Sequence, residues 1–219
     1  MKEIHQALWG YEEWLERDHG VLIKKIVAEK RLSVQVHPND ETAKTVGGDA
    51  KTEMWCVLKA GPIFAGFKPG VTAAEVEKAV EDGSFEELLV RFEAKAGECY
   101  FIPGGLVHAI GDGTAVYEVQ QSSETTFRLY DWGRVGADGK PRQLHIREGL
   151  AAMDLSLPAP TPGASVDCKY FSFIQASKGD YGTCDRWRAI YLPETGESRF
   201  VAPGEELRLK ADGFITTVK

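Results

Sequence analysis

The chain is 219 residues long, 43% hydrophobic and 27% charged, with a formal net charge of −7. That balance gives no general attraction for nucleic acid or an anionic membrane surface, and no apolar run reaches the ~20 residues of a transmembrane helix. The cysteines, Cys56, Cys99, Cys168 and Cys184, are widely spaced without a CxxC pair, and MKEIHQALWGYEEW lacks the apolar stretch of a secretory signal; a reduced, cytoplasmic protein is expected, with room for a single disulfide.

Residues 1–20, rich in Trp, Glu and His, read as a short helix or an irregular lead-in. From Val21 strand signals take over: VLIKKIV, the alternating run Leu32–His37, then Glu53–Leu58 and Ile63–Phe67 across the turn composition Lys59-Ala60-Gly61-Pro62. One helical island follows at 71–92. It carries two capping boxes, Thr72 with Glu75 and Ser84 with Glu87, and predicts two short helices separated by Gly83. Val76, Ala79 and Val80, then Phe85, Leu88 and Leu89, are the positions expected to face a sheet.

Strands resume at Glu98–Ile102, Ala115–Gln120 and Thr126–Tyr130, before a helical stretch at Leu144–Met153 and a proline-rich linker, Leu157–Ser165. Further strands are expected at Tyr170–Ala176, Arg188–Leu192, Glu206–Lys210 and Phe214–Val218. Many short strands and few helices predict an all-β sandwich or barrel. The division expected is a core over 1–160 and a C-terminal β segment over 161–219 that packs on the barrel or completes it.

Polar residues interrupt three of these strands. In LSVQVHPND, Ser33, Gln35 and His37 share one face, while Val34 and Val36 point the other way. Buried without partners, such groups cost roughly 1–3 kcal/mol each. A divalent metal is one partner and ordinary hydrogen bonding another. In KTEMW, Glu53 opens an apolar strand. In GECYFIPGGLVHAIGDG, a strand runs into Pro103-Gly104-Gly105 and then presents His108. The spacing G-x5-P-x-G-x2-H resembles the second motif of the cupins, small β-barrels that hold a metal at the mouth. Gln35, His37, Glu53 and His108 then form a mixed N/O set that suits zinc, with Fe, Mn or Co also compatible.

LSVQVHP, KTE, IPGGLVHAIGDG and YEVQQSSETTFRLYDWGR together resemble the type I phosphomannose isomerases, most closely over residues 21–149. These are cupin-fold zinc enzymes that interconvert mannose 6-phosphate and fructose 6-phosphate. The resemblance implies Gln35, His37, Glu53 and His108 as zinc ligands. It implies Arg128, Glu118 and Lys51 as catalytic residues, and Ser33 with Lys24 as the phosphate-binding pair. The chain departs from the family at Ala50, where His is common, and at Ile110, where some members carry an aromatic residue. It also lacks the long helical insertion, and its C-terminal lobe is abbreviated.

The chemistry implied is proton transfer between C2 and C1 of a sugar phosphate through a cis-enediol or enediolate. Glu118 is the preferred base over Lys51 or a metal-bound water. A phosphate on so acidic a protein requires local cations, here Lys24, Lys51 and Arg128. The alternatives are a cupin isomerase of glucose 6-phosphate, a non-catalytic sugar-phosphate-binding cupin and a metal-dependent dioxygenase.

Overall fold

A computed structural model describes residues 3–136 and 139–219. The hairpin β1 (Glu3–Ala7) and β2 (Gly10–Asp18) leads into β3 (Val21–Ala28) and the three-residue β4 (Val34–Val36). Helix α1 (Asp40–Val46) separates β4 from the adjoining strands β5 (Glu53–Lys59) and β6 (Gly61–Phe67). Helix α2 (Ala73–Asp82) and a 3-10 turn at Phe85–Leu88 precede β7 (Leu89–Ala94), β8 (Cys99–Ile102), β9 (His108–Ile110), β10 (Ala115–Gln121) and β11 (Phe127–Tyr130). After α3 (Ile146–Ala152) come β12 (Ser165–Asp167), β13 (Phe171–Ala176), β14 (Gly179–Asp180), β15 (Arg188–Leu192), β16 (Glu197–Val201), β17 (Arg208–Leu209) and β18 (Gly213–Val218).

Strand alternation sorts these elements into layers. A six-stranded sheet, β1-β2-β3-β10-β5-β8, faces a five-stranded sheet, β11-β4-β9-β6-β7. Ile26, Trp55, Val57 and Val116 from the first meet Ile63, Ala65 and Ile110 from the second in one apolar core. The two sheets are the walls of a β-sandwich, and among the described residues no ladder closes them into a cylinder. The outer face of the five-stranded sheet, including Val34, Val36 and Ala109, is covered by Val76, Ala79, Phe85 and Ala152 from the helical segments. The outer face of the six-stranded sheet, including Ile23, Met54, Tyr117 and Val119, packs on Phe171, Phe173, Tyr191 and Phe214. Those four belong to a third sheet, β12-β13-β18-β15-β16.

The all-β expectation holds, with three short helices among the described residues, none long and apolar enough to cross a membrane. Several local expectations are corrected. The described part of the lead-in, residues 3–20, forms no helix: β2 takes the free edge of β3 from Gly10↔Ala28 to Asp18↔Val21, and backbone pairing with buried Trp9 and Leu15 overrides the charged composition; residues 1 and 2 of the expected lead-in lie outside the described residues. Thr72 and Glu75 form their capping box, but Ser84 makes no side-chain cap; its hydroxyl donates to Asp82 Oδ1 instead. The second predicted helix shrinks to one 3-10 turn, and Leu89 starts a strand paired with β6. Helix α1 was not predicted, although Asn39 and Thr42 form a capping box there. Strand β16 was also missed. Cys56 and Cys99 are opposed across β5 and β8 and form a disulfide, so of the four cysteines Cys168 and Cys184 are free.

Candidate functional site

Three strands from the two facing sheets deliver the polar residues. On β4, Gln35 turns inward while its neighbours Val34 and Val36 are fully buried on the other side. His37 follows at the strand end, where Pro38 stops the ladder. His108 opens β9 directly opposite Gln35 and Ala65. Glu53 opens β5 on the other wall, paired with Ile102 and Gln120.

The glycine-rich turn has a steric reason. Gly105 donates its N–H to the carbonyl of His37 at 2.7 Å and has a φ of 95°, a conformation that favours glycine. A Cβ on Gly104 would lie 2.7 Å from the Pro38 carbonyl oxygen. The turn before His108 therefore presses against the chain just after His37, which brings the two imidazoles together.

The ligating atoms of His37, Glu53 and His108 all lie within 4.8 Å of one another. His37 Nδ1 donates to the Thr125 carbonyl at 2.8 Å, and His108 Nδ1 donates to the Leu106 carbonyl at 2.8 Å. A carbonyl only accepts, so each ring proton is on Nδ1 and each Nε2 turns a lone pair to the centre. His37 Nε2 is 3.1 Å from Glu53 Oε1, and His108 Nε2 is 3.8 Å from Glu53 Oε2. Glu53 Oε1 is fully buried and faces the Lys51 ammonium. Burial, and then the nearby Lys51 charge, push His37 down to about 3. Burial would raise Glu53, but Lys51 and His37 outweigh it and hold this carboxylate well below the usual range.

Two lone pairs and a carboxylate packed face to face need a cation. Lys51 supplies part of that charge, with Nζ 2.7 Å from Glu53 Oε1 and 3.2 Å from His37 Nε2. The donor set fits a divalent metal, with both imidazoles oriented by backbone carbonyls as metal-ligating histidines commonly are. Gln35 Nε2 lies 3.4 Å from His108 Nε2. A rotation of that amide puts its oxygen in the same place.

Beside this cluster lies a cavity of about 250 Å³ whose wall includes Lys24, Ser33, Gln35, Lys51, Glu118 and Arg128. All nine residues singled out in the sequence thus fall at the cluster or on this cavity. Glu118 pairs across β10 with Lys24 on one side and Trp55 on the other. Its Oε2 accepts the Trp55 indole N–H at 2.8 Å, and its Oε1 is buried without a hydrogen-bond partner. Burial, and then the Glu53 charge, push Glu118 up to about 7. Arg128 sits cross-strand from Gln35, with Nε donating to Ser33 Oγ at 3.3 Å.

The expected pairing of Lys24 with Ser33 is looser than the sequence reading had it. Lys24 Nζ lies 3.1 Å from Glu12 Oε2 and 3.7 Å from Glu118 Oε1. Burial would lower the Lys24 ammonium pKa, but Glu118 and Glu12 raise it. Sequence reasoning missed Glu12, Trp55 and Arg142 in this wall. Trp55 was within reach, because it alternates with Glu53 on one strand. Glu12 fell in a segment read as a lead-in, and Arg142 lies in a loop without periodicity. Asp112, in the turn after His108, accepts the Arg31 N–H and stands apart from the cluster.

No family model matches the chain. It is 41% identical over 163 residues to mannose-6-phosphate isomerase ManA of Bacillus subtilis, a match spanning 71% of this chain and 50% of that protein. The chain spans about half the length of the curated relatives it matches. The crystal structure of the mannose 6-phosphate isomerase from Bacillus subtilis superposes with a TM-score of 0.66 at 23% identity, over 91% of this chain and 72% of that one. A mannose 6-phosphate isomerase crystallised with zinc and yttrium gives a TM-score of 0.55 at 14% identity, over 92% and 79% of the two chains. These superpositions show the cupin fold.

Proposed function

Over most of its length this chain is homologous to mannose-6-phosphate isomerases, and on that premise we propose that it is a metal-dependent aldose–ketose isomerase interconverting mannose 6-phosphate and fructose 6-phosphate. The observation that carries the reading is a juxtaposition. Two neutral imidazoles and an ionised carboxylate converge beside a cavity that also presents a carboxyl group with a pKa of about 7 and the guanidinium of Arg128.

Gln35, His37, Glu53 and His108 hold the ion in this reading, and zinc suits the mixed N/O set, with Fe, Mn or Co taking the same donors. When bound, the metal supplies a fixed positive charge for the O1 and O2 oxygens of the open-chain sugar. Glu118 takes the proton from one carbon and returns it to the other, while the hydroxyl proton passes from one oxygen of the enediol to its neighbour; Glu118 Oε1, to which no group donates a hydrogen bond, is the atom suited to the carbon proton. The negative charge that develops on the cis-enediolate faces Arg128, which is cationic at any working pH. Lys51, beside Glu53, adds positive field at the same end. Ser33 offers a hydroxyl toward the phosphate end, and Lys24 lies farther along the wall.

The test is elemental analysis of purified protein together with a coupled assay for fructose 6-phosphate. Bound divalent metal and turnover of mannose 6-phosphate in excess of glucose 6-phosphate are expected. Metal-loaded protein that binds the sugar phosphate without turning it over is a binding cupin, and the proposal fails.

A further inference from the structure

Between β10 and β11 the chain turns over residues 121–125, and one side chain outside the cavity wall fixes that turn. Gln120 is fully buried. Its Nε2 donates to the carbonyl of Gln121 at 2.8 Å and to the carbonyl of Ser123 at 2.6 Å. Carbonyls only accept, so the orientation of this amide is settled: a flip would set its oxygen against two others. Its Oε1 is also buried, and among the described residues no group donates to it. An apolar side chain would fill the same place without burying a bare oxygen. The amide is therefore accounted for by its two donors, and these act on the turn.

The turn so held reaches two parts of the metal-type cluster. Ser123 Oγ accepts the Thr125 N–H at 3.2 Å and donates to the carbonyl of Asp49 at 3.0 Å. The Asp49 N–H donates in return to Thr125 Oγ1 at 2.9 Å. Gln121 exchanges two bonds with Thr52: its N–H donates to the Thr52 carbonyl at 3.1 Å, and its Oε1 accepts the Thr52 N–H at 2.9 Å. One flank of the turn is thus tied to residues 49–52, which carry Lys51 and lead directly into Glu53. On the other flank, the Thr125 carbonyl accepts His37 Nδ1 at 2.8 Å. The hydrogen bond that turns His37 Nε2 inward therefore depends on a backbone segment that Gln120 and Ser123 lock in place.

We propose that Gln120 and Ser123 are positioning residues for His37: through the 121–125 turn they hold the Thr125 carbonyl where it fixes the tautomer and direction of that imidazole. Neither residue touches the ion or the sugar in this scheme. Partners that orient a ligating histidine raise metal affinity by presenting its lone pair ready-aimed. Because the same turn is stitched to residues 49–52, it also sets the distance between the His37 strand end and the start of β5. The inference rests on the metal-binding part of the proposed function, and the orientation of His37 is measurable without any metal.

The experiment has two readouts on the full chain: the His37 tautomer in metal-free protein by proton–nitrogen NMR, and titration of metal-free protein with Co2+ followed by visible absorption. Wild type should show His37 as a single tautomer protonated at Nδ1. In Gln120→Met and Ser123→Ala that signal should give way to a mixture of tautomers, and Co2+ affinity should fall about 10- to 100-fold. Ile190→Ala, in the outer core of the third sheet, loses stability without touching the turn and should keep Co2+ affinity within about twofold. Because the turn variants can fail to fold, a further measurement uses wild type alone. The side-chain amide protons of Gln120 should exchange far more slowly than those of exposed Gln6. Exchange as fast as Gln6, an unchanged tautomer and affinity in folded turn variants, or an equal loss in Ile190→Ala overturns the proposal. Wild type that binds no Co2+, with a His37 tautomer that still depends on Gln120 and Ser123, sinks the metal reading alone. Co2+ binding indifferent to both turn variants sinks this inference alone.

Discussion

Glu53 and Glu118 share one proton donor: Trp55 Nε1 donates to Glu53 Oε2 at 3.0 Å and to Glu118 Oε2 at 2.8 Å. The metal-type cluster and the candidate base are thereby tied through a single indole on the strand that carries Glu53. Trp55→Phe keeps most of the ring volume and removes that donor. The expected cost is about 1–3 kcal/mol of stability, the penalty for buried acceptors left without a partner. Urea unfolding of metal-free wild type and variant measures it, and equal midpoints would show that the shared hydrogen bond contributes nothing.

Metal and turnover should separate by residue. His108→Ala removes one of the two inward-facing Nε2 atoms and should lose metal and activity together. Arg128→Ala should retain metal by elemental analysis and lose turnover by about 10²–10³-fold, as when a preorganised donor to a developing anion is deleted. Near wild-type turnover in Arg128→Ala contradicts its assignment.

The raised pKa of Glu118 gives a stability prediction with a definite sign. Its folded value is about 7 against an ordinary value of 4.5. Between those limits the folded protein keeps a proton that the unfolded chain has released. The contribution of this group is therefore present below the ordinary value and is lost as pH rises toward 7. Metal-free wild type should lose up to ~3 kcal/mol relative to Glu118→Gln between pH 5 and 8, followed by denaturant midpoints. A base must be deprotonated to act, so kcat should fall on the acid side, and a bound cation should move that limb to lower pH. Glu118→Gln should lose about 10²–10⁴-fold in kcat with metal retained.

Gly104 offers a test of the turn that approximates the imidazoles. In Gly104→Ala the added Cβ meets the Pro38 carbonyl oxygen at 2.7 Å and Asn39 Cα at 2.9 Å, so the backbone after His37 must shift. A loss of about 1–3 kcal/mol and weaker metal retention on dialysis against a chelator are expected. Unchanged retention shows that the site tolerates movement of His37.

The residues that proved adjacent here were legible where chemistry and strand period coincide. Gln35 and His37 stand out as polar side chains on one face of a β-branched run, a pattern that alone fits ordinary hydrogen bonding as well as a metal and gains its meaning from Glu53 and His108. His108 is marked by the glycines that its turn requires. Glu12 and Arg142 were not legible, because each acts through a partner distant in sequence: Glu12 meets Lys24 across β2 and β3, and Arg142 is aimed by Asp131. The disulfide was hidden for the same reason, since the opposition of Cys56 and Cys99 depends on the register of β5 with β8. Composition misled at residues 3–20, where the open edge of β3 decides the conformation of Gly10–Asp18 rather than the charges of the segment.

Strand β10 faces two ways. Val116 joins the core between the two facing sheets, and Glu118 lines the cavity, while Tyr117 and Val119 lie in the core formed with Phe171, Phe173 and Phe214. The sheet built from the last sixty or so residues is thus the backing plate of the wall that bears the acid. A polypeptide cut within the proline-rich stretch at 157–165 would present Ile23, Met54, Tyr117 and Val119 to water, and the misplacement of Glu118 would follow from solvation alone, with every cavity residue still in the chain.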